Sequence, residues 1–515
     1  MNVSTPVTPV IAPSVADGIA AEVVRLDGHC DLGREALGGK AWSVNAMRAR
    51  GLPVPPAVAL TTGNCAAFYA AGETITDPMW ARIREGVAHL EDETGRRFGS
   101  VERPLLVSVR SGAAISMPGM MDTVLNLGLT EATAAALTDE TGDAGYVADT
   151  RDRFVRQYRE TVLGVAEDAE VSVPDDAWDQ LRGAVAAVFG SWQSARAQTY
   201  RRSRGIAGDL GTAVTIQAMV FGNLDDDSGT GVLFSRDPNT GTPEPFGEWL
   251  PRGQGEDVVS GRVTPLQLVT LAERMPDVHA ELLDVTNTLE RVGGDVQDIE
   301  FTVEAGRLWL LQSRPAKRSA AAAVRIAVDM MDEGLLSPAD ALARVSAEQV
   351  RTVAAGGAGE SDDAVVASGV PACPGLATGV AVTDPDEAEE RADAGEEVVL
   401  VRATTSPDDL HGMLAAVAIV TELGGATSHA AVVSREIGRP CVVGCGDGVL
   451  EALAGREITV DGASGRVWPG RVAATTGAAP DPYLVRLIAA AEELLDPTNP
   501  TAPANIILEA AKNRG

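Results

Sequence analysis

The chain has 515 residues, which is too long for one hydrophobic core and predicts roughly two to four domains. It carries 42 Lys and Arg against 73 Asp and Glu, so its formal net charge is −31. This charge argues against nucleic acid or an anionic membrane as the main partner. A hydrophobic fraction of 45% with only 4% aromatic residues is typical of an α/β protein rich in small aliphatic side chains.

The five cysteines show neither a disulfide framework nor zinc-ligand spacing, so free thiols are expected. The N-terminus lacks a basic segment followed by an apolar core, and no stretch of about 18 apolar residues occurs. We therefore expect a cytoplasmic protein without a membrane span. Residues 1–20 are rich in Pro, Thr, Val and Ala and predict a flexible lead-in.

Two glycines, Gly38 and Gly39, precede Lys40 at the predicted start of a helix that Gly51 ends. Glycines let the backbone approach a ligand closely, and a helix start attracts anions, so Lys40 is a candidate phosphate contact. The spacing is not that of a Walker A loop. Taken alone, an exposed lysine after a turn is the simpler explanation.

A β-branched strand beginning near residue 104 leads Arg110 into a loop rich in Ser and Gly, 111–114. Backbone N–H groups, hydroxyls and a permanent positive charge together suit a polyphosphate. A surface ion pair explains the arginine equally well. Residues 130–208 show helical patterns with charged outer faces and no recognisable chemistry, so they predict a structural insertion.

Two acidic residues, Glu248 and Glu256, lie among glycines after the next pair of predicted strands. Carboxylates in such a setting could assist metal or nucleotide binding. They fit a simple turn equally well.

The segment 297–303 alternates polar and apolar residues, which puts Asp298 and Glu300 on one face of a strand. After a short turn, the returning strand carries Gln312 and Arg314 on one face, and a simple hairpin would set Gln312 near Asp298. Two carboxylates, an amide and a guanidinium suit a Mg²⁺–triphosphate complex, because hard oxygens hold the metal and arginine neutralises phosphate. A cross-strand ion pair explains the same pattern.

The second half of the chain predicts a separate module. A helical linker and flexible boundary are expected at 321–365, a compact Gly/Val-rich module at 366–472 and a helical tail at 473–515. Ser406 and Asp409 give the module a well-formed helix start. Its strands are predicted at 397–401, 417–421, 441–443 and 458–461.

Within this module, Gly424 and Gly425 allow a strand to turn sharply into a helix. Thr427 or Ser428 would be the N-cap, which puts His429 in the first turn. The partial positive charge of a helix start favours neutral imidazole, the nucleophilic form, and would stabilise a phosphoryl group on the ring. The hypothesis is a phosphohistidine carrier, and the alternative is a histidine that only caps or packs.

Several of these segments resemble pyruvate, phosphate dikinase, from about residue 26 to about 472. The resemblance is carried by 37–40, 107–128, 297–301, 311–314 and 424–433. It implies an α/β (α+β) multidomain fold. An ATP-grasp nucleotide-binding domain at 21–320, with the helical insertion at about 130–208, would precede a swivelling phosphohistidine β/β/α domain at 366–472.

Carried over by position, the resemblance implies that His429 is the phosphorylated residue. It implies that ATP and its metal are bound by Lys40, Arg110, Asp298, Glu300, Gln312 and Arg314, with Asp298 and Glu300 as the Mg²⁺ ligands. Thr427 matches the position that regulatory kinases modify in some relatives. Ala426 departs from the family, which typically carries Met there.

The implied reaction converts ATP and inorganic phosphate into AMP, pyrophosphate and phospho-His429, which then phosphorylates pyruvate. The family's C-terminal barrel needs roughly 200 residues, and 473–515 is too short to build it. We therefore expect a separately encoded barrel subunit or another small acceptor, such as an antibiotic. A non-catalytic nucleotide-sensing regulatory subunit is the alternative of another class, and a homodimer is left open.

Overall fold

The computed structural model describes residues 19–115, 117, 119–165, 171–259, 263, 265–355, 364–472 and 481–512. The expected lead-in and most of the expected flexible boundary lie outside these residues. The chain divides into two compact units, Met1–Met219 and Val220–Gly515. All five cysteines are free thiols. Among the described residues, no helix is long and apolar enough to cross a membrane.

The first unit is built on an antiparallel sheet of order β1-β2-β7-β5-β6. Its strands are β1 (Val23–Arg25), β2 (Ala57–Leu60), β3 (Arg97–Phe98), β4 (Pro104–Leu105), β5 (Val107–Gly112), β6 (Thr123–Leu127) and β7 (Ala213–Ala218). Its helices are α1 (Arg34–Arg48), α2 (Thr62–Ala70), α3 (Asp77–Thr94), α4 (Glu131–Thr141), α5 (Ala144–Tyr158), α6 (Ala177–Gly190) and α7 (Ala195–Arg204).

The helical prediction for 130–208 is confirmed by α4 to α7. Each of these helices begins at a short polar side chain that accepts a hydrogen bond from a backbone N–H of the first turn: Thr130, Asp143, Asp176 and Ser194. The central strands β2 and β7 are buried along their whole length, so helices cover both faces of the sheet there.

The second unit begins with an antiparallel sheet of order β10-β9-β8-β11-β12. Its strands are β8 (Gly229–Phe234), β9 (Phe246–Pro251), β10 (Leu266–Gln267), β11 (Gln297–Glu304) and β12 (Arg307–Pro315). Its helices are α8 (Gly255–Val259), α9 (Val269–Arg274) and α10 (Pro276–Gly293), and a linker follows with α11 (Ala320–Asp332), α12 (Pro338–Ala343) and α13 (Ala347–Ala355).

An eight-stranded mixed sheet of order β13-β20-β19-β15-β16-β17-β18-β14 follows the linker. Its strands are β13 (Ala367–Ser368), β14 (Val370–Cys373), β15 (Leu376–Val382), β16 (Val398–Arg402), β17 (Ala418–Thr421), β18 (Cys441–Val443), β19 (Glu457–Asp461) and β20 (Arg466–Pro469). Strands β15 to β18 run parallel. The helices among them are α14 (Pro385–Asp393), α15 (Leu410–Ala415), α16 (His429–Ile437) and α17 (Val449–Leu453).

Two further helices, α18 (Pro482–Glu493) and α19 (Pro503–Lys512), return to the linker. Their apolar side chains, including Leu487 and Ile507, share one buried cluster with Val324 of α11 and Val350 of α13. The helices that precede the eight-stranded sheet in the chain therefore pack on the helices that follow it. The chain segments on either side of this sheet thus share one small core.

Candidate functional site

In the first unit, Lys40 lies beside the loop that follows Arg110. The helix α1 begins earlier than predicted, at Arg34, and is interrupted at Gly38, where φ is 70°. A Cβ at Gly38 would lie 1.7 Å from the carbonyl oxygen of Gly112, so only glycine permits this approach. The backbone N–H of the next residue, Gly39, donates to Ala113 at 2.8 Å. Lys40 is thereby fixed next to the glycine that ends β5.

The Arg110 side chain is half-buried in β5. Its Nη1 atom is fully buried and has no hydrogen-bond partner among the described residues. The surface ion pair that is the alternative explanation for Arg110 is therefore not made by its Nη1 atom with any described residue. The neighbouring loop is held by the insertion, because Arg196 of α7 pairs with Asp122 and donates to the Met120 carbonyl at 3.3 Å. The insertion, predicted to be purely structural, thus positions a loop beside the candidate site.

In the second unit, the hairpin β11–β12 carries the predicted acidic face. Asp298 lies opposite Arg314, and Glu300 lies opposite Gln312. A register shift after Glu300 accounts for this pairing, so the expectation that Gln312 lies near Asp298 was wrong. The bulge keeps all four side chains on one face and sets the arginine against the acid nearer the strand start.

The Asp298 carboxylate is buried, and its two oxygens differ in their hydrogen bonding. Its Oδ2 atom accepts a hydrogen bond from Arg314 Nε at 2.8 Å, whereas its buried Oδ1 atom has no partner in the described structure. Burial disfavours the charged guanidinium, but the carboxylates of Asp298 and Glu300 outweigh this and raise the pKa of Arg314. Arg314 therefore stays charged.

A divalent-cation site explains the carboxylates of Asp298 and Glu300 better than a structural ion pair with Arg314 alone. An orphaned, buried carboxylate oxygen beside Glu300 on the same face offers hard oxygen ligands. The described residues contain no group of three or more His, Cys, Asp or Glu placed to hold a metal. The residues thus suit a cation that takes its remaining ligands from phosphate and water, as Mg²⁺ commonly does.

In the same unit, His429 is the first residue of α16, as predicted. Ser428 is the N-cap residue with extended backbone angles, and Gly424 has a φ of 104°, so the glycine makes the turn that leads into the helix. Thr427 is fully buried two residues before the histidine. The helix ends at Gly438, whose φ of 69° is typical of a C-terminal cap.

The two ring nitrogens of His429 have different surroundings. Nδ1 lies 3.1 Å from the hydroxyl of Thr405, a buried residue in the loop after β16. Nε2 is buried and has no hydrogen-bond partner among the described residues. Burial lowers the pKa of His429 to about 4, against the opposing charge of Asp409. The ring is therefore neutral at physiological pH, and its Nε2 lone pair is uncommitted when Nδ1 carries the proton.

The loop before His429 is held by Glu248, a buried residue of β9. One carboxylate oxygen accepts from the Ala426 N–H at 3.0 Å. The other accepts from the Thr427 N–H at 3.1 Å and from the Thr427 hydroxyl at 2.6 Å. A Cβ at Gly425 would lie 2.4 Å from the same carboxylate, so the glycine is needed for the contact. The Glu248 carboxylate thus occupies an anion-binding position formed by backbone N–H groups just before the start of α16.

Two basic side chains complete the contact between α16 and the acidic sheet. Arg435 donates to the Ala426 carbonyl at 2.9 Å and lies over the ring of Phe234, 5.5 Å from its centroid. Lys317 pairs with Glu436 at 2.9 Å. Burial lowers the pKa of Arg435, and the surrounding acids and thiols act against this. The histidine helix is thus fixed to the sheet at both ends.

The sheet register relates the histidine loop to the acidic face. Glu248 pairs with Val232, Val232 pairs with Glu300, and Glu300 pairs with Gln312. Directly paired residues point to the same face, so these side chains form one row. Neighbouring strands lie roughly 4.8 Å apart, which puts Glu248 and Glu300 roughly 10 Å apart. The loop that carries His429 is therefore held over the same sheet face as the candidate metal ligands.

The sequence did not indicate two of these contacts. Glu248 was weighed only as a metal ligand, nucleotide contact or turn residue, because a partner 179 positions away leaves no local pattern. Thr405 precedes the predicted helix start at Ser406, and nothing in the sequence links it to a histidine 24 positions on. The one signal that could have suggested either contact is a match between buried polar residues in distant segments of the chain.

Comparison with protein-family models defines the class. Residues 34–281 and 276–335 match the model "Pyruvate phosphate dikinase, AMP/ATP-binding domain". Residues 394–465 match "PEP-utilising enzyme, mobile domain". The chain is thus a multidomain α/β protein in which an ATP-grasp nucleotide-binding domain precedes a mobile domain of the PEP-utilising type, and the predicted fold class is confirmed.

Three relatives named pyruvate, phosphate dikinase show how far the similarity extends. The protein of Rhizobium meliloti (strain 1021) is 42% identical over 506 residues, covering 85% of this chain and 56% of the relative. That of Clostridium symbiosum is 40% identical, covering 85% and 57%, and the chloroplastic protein 1 of Arabidopsis thaliana is 40% identical, covering 85% and 51%. The chain belongs to the pyruvate, phosphate dikinase family and spans about half the length of these relatives.

Proposed function

We propose that the chain is an ATP-dependent phosphotransferase of the pyruvate, phosphate dikinase type, with His429 as the phosphoryl carrier. ATP and inorganic phosphate would give AMP, pyrophosphate and phospho-His429. Family membership supports the class of reaction. The roles of individual residues are our assignments and rest on the geometry of each unit.

The observation that carries the proposal is the row from Glu248 to Gln312. It holds the loop of a buried, neutral histidine over a sheet face that bears Asp298, Glu300 and Arg314. A histidine that only capped a helix would have no need of a buried acid from another sheet to hold its loop. A structural ion pair would not leave Asp298 Oδ1 buried and unpartnered.

The loading step uses the neutral ring. The Nε2 lone pair of His429 attacks the β-phosphorus of ATP, the N–P bond forms, and the bond from phosphorus to the bridging oxygen breaks, with its electron pair leaving on AMP. An oxygen of inorganic phosphate then attacks the terminal phosphorus of the pyrophosphoryl group. Pyrophosphate leaves, and one phosphoryl group stays on Nε2.

Catalysis in this scheme is mainly positioning and charge stabilisation. We assign Asp298 and Glu300 to Mg²⁺, which would neutralise charge on the phosphates when bound. Arg314, kept charged by those acids, and Gln312 would bind phosphate oxygens. In the first unit, we assign Arg110, with its unpartnered Nη1, and Lys40 to the triphosphate.

The acceptor proposed for phospho-His429 is pyruvate, because the matched relatives carry that name. The matched segment corresponds to about half of each relative, so transfer to pyruvate is part of the proposal and not of the family assignment. Another small-molecule acceptor is the runner-up. The place of Thr427, buried against Glu248, also makes regulatory modification there a proposal: a phosphate on its hydroxyl would face a carboxylate now 2.6 Å away.

The test is a loading assay with purified chain, Mg²⁺, phosphate and ATP labelled in the β-phosphate. We expect AMP, pyrophosphate and an acid-labile label on the protein, and none of these with His429→Asn. ATP binding without AMP or pyrophosphate would instead favour a nucleotide-sensing subunit.

A further inference from the structure

We propose that Thr405 is a positioning residue that selects the tautomer of His429: its hydroxyl oxygen accepts a hydrogen bond from Nδ1–H and so leaves the lone pair on Nε2. This inference deepens the proposed function and rests on it for the identity of the attacking nitrogen. The hydroxyl of Thr405 lies 3.1 Å from Nδ1, at ordinary hydrogen-bond distance.

The asymmetry of the ring is the first argument. A neutral imidazole carries one proton, on Nδ1 or on Nε2. Nδ1 has a hydroxyl partner, whereas Nε2 is buried with no partner in the described structure. A proton on Nε2 would bury an unsatisfied donor and remove the lone pair needed for attack. A proton on Nδ1 meets the Thr405 oxygen and leaves Nε2 as a nucleophile.

The rigidity of the Thr405 loop is the second argument. Asp409 accepts the N–H of the next residue, Ser406, at 2.8 Å, which fixes the turn immediately after Thr405. The same carboxylate pairs with Arg402 at 3.3 Å, and Arg402 also donates to the Thr383 carbonyl at 3.0 Å. Thr405 is itself buried. The backbone that carries its hydroxyl is therefore held by contacts before and after Thr405 in the loop.

The charge that develops during loading is the third argument. As the N–P bond forms, the ring keeps its Nδ1 proton and gains positive charge, which strengthens a hydrogen bond to the hydroxyl oxygen. Asp409 already favours the charged ring electrostatically. Thr405 would thus bind the ring more strongly after attack than before it, as expected of a group that assists the step.

The decisive experiment is ¹⁵N NMR of the full chain with labelled histidine, without ATP. We expect His429 to show the Nδ1–H tautomer in the wild type and in Thr405→Ser, which keeps the hydroxyl. Thr405→Val, of nearly the same shape, should lose this preference and show a mixture of the Nδ1–H and Nε2–H tautomers. Thr459→Val removes a buried hydroxyl of β19, which bonds Thr378 and the Gly470 carbonyl, and should leave the tautomer unchanged.

The second readout is the position of the phosphoryl group after loading with ATP, Mg²⁺ and phosphate. Wild type and Thr405→Ser should carry it on Nε2 alone. Thr405→Val should load roughly tenfold more slowly, as expected for the loss of one hydrogen bond, and give a mixture of Nε2 and Nδ1 products.

Two results would overturn the assignment: an Nε2–H tautomer in the wild type, or a wild-type tautomer and loading rate in Thr405→Val. A wild type that never loads would instead contradict the proposed function, while the tautomer in the unloaded protein still decides the role of Thr405. Because the wild-type spectrum is informative by itself, the test survives a Thr405→Val chain that fails to fold.

Discussion

The loop after β5 in the first unit and the β11–β12 face in the second offer opposite electrostatic surroundings to a phosphate. The first presents Arg110, whose buried Nη1 has no partner among the described residues. The second presents Asp298 and Glu300, with Arg314 already bonded to Asp298 at 2.8 Å. One region can meet an anion directly, whereas the other needs a cation first. The comparison therefore predicts that substitutions in the two regions affect phosphate binding in different ways.

Removing the acids should have the largest effect. Asp298→Asn keeps the shape but weakens the oxygen ligands, so we expect loading to fall by roughly 10²-fold or more and to need higher Mg²⁺. Initial rates against Mg²⁺ concentration measure this. The control is Asp284→Asn on the exposed side of α10, which should change neither. An unchanged Mg²⁺ dependence in Asp298→Asn would show that the acidic face does not hold the metal.

Removing the cation of the other region should come next. Arg110→Met deletes the charge and its unpartnered donor, and we expect the rate of loading to fall by roughly 10²-fold at unchanged Mg²⁺ dependence. Arg110→Lys should recover part of the rate, because it restores charge without the planar donor set. Arg82→Met, at an exposed position on α3, is the matched control. If Arg110→Met shifted the Mg²⁺ dependence as Asp298→Asn does, the two regions would not have separate tasks.

A smaller effect is expected where the histidine loop meets the sheet. Glu248→Gln loses the charge that three donors of Ala426 and Thr427 share, so we expect loading to slow by roughly tenfold. Thermal unfolding should also begin at a lower temperature, because the buried donors of Ala426 and Thr427 lose part of their hydrogen bonding. Glu244→Gln, an exposed neighbour, should behave as the wild type. Wild-type loading by Glu248→Ala would mean that the loop needs no anchor.

The smallest effect on activity concerns pH. Because burial lowers the pKa of His429 to about 4, its protonation should not slow loading between pH 7.5 and 5.5, roughly the range in which an ordinary histidine titrates. The unfolded chain binds this proton near pH 6.5 and the folded chain only near 4, so the free energy of unfolding falls as pH falls through that window, by roughly 3 kcal/mol at most. Denaturant unfolding of wild type and His429→Asn between about pH 6.5 and 4 measures this difference. An equal pH dependence of the free energy of unfolding in the two proteins would contradict the lowered pKa.

The sequence supplied the parts of this comparison that depend on local pattern. Alternation placed Asp298 and Glu300 on one face, and the glycine turn followed by Ser428 placed His429 at a helix start, although the Ser428 hydroxyl makes no capping hydrogen bond. It missed the bulge that sets Gln312 opposite Glu300, because one extra residue in a strand has no distinct signature.

The contacts between segments were beyond local pattern. Glu248 contacts the histidine loop from within β9, and Thr405 contacts the ring from the loop after β16, so both contacts follow only from the assembled fold. The domain boundaries stay predictions, and so do the roles assigned to the site residues: Lys40, Arg110, Asp298, Glu300, Gln312, Arg314, Thr427 and His429.

The most direct test of the central claim compares ATP labelled in the β-phosphate with ATP labelled in the γ-phosphate, each with the full chain, Mg²⁺ and inorganic phosphate. If His429 attacks the β-phosphorus, only the β-label stays on the protein, in one acid-labile peptide that contains His429. The γ-label should leave in pyrophosphate. Retention of the γ-label on the protein under these conditions, or β-labelling of His429→Asn, would contradict the account.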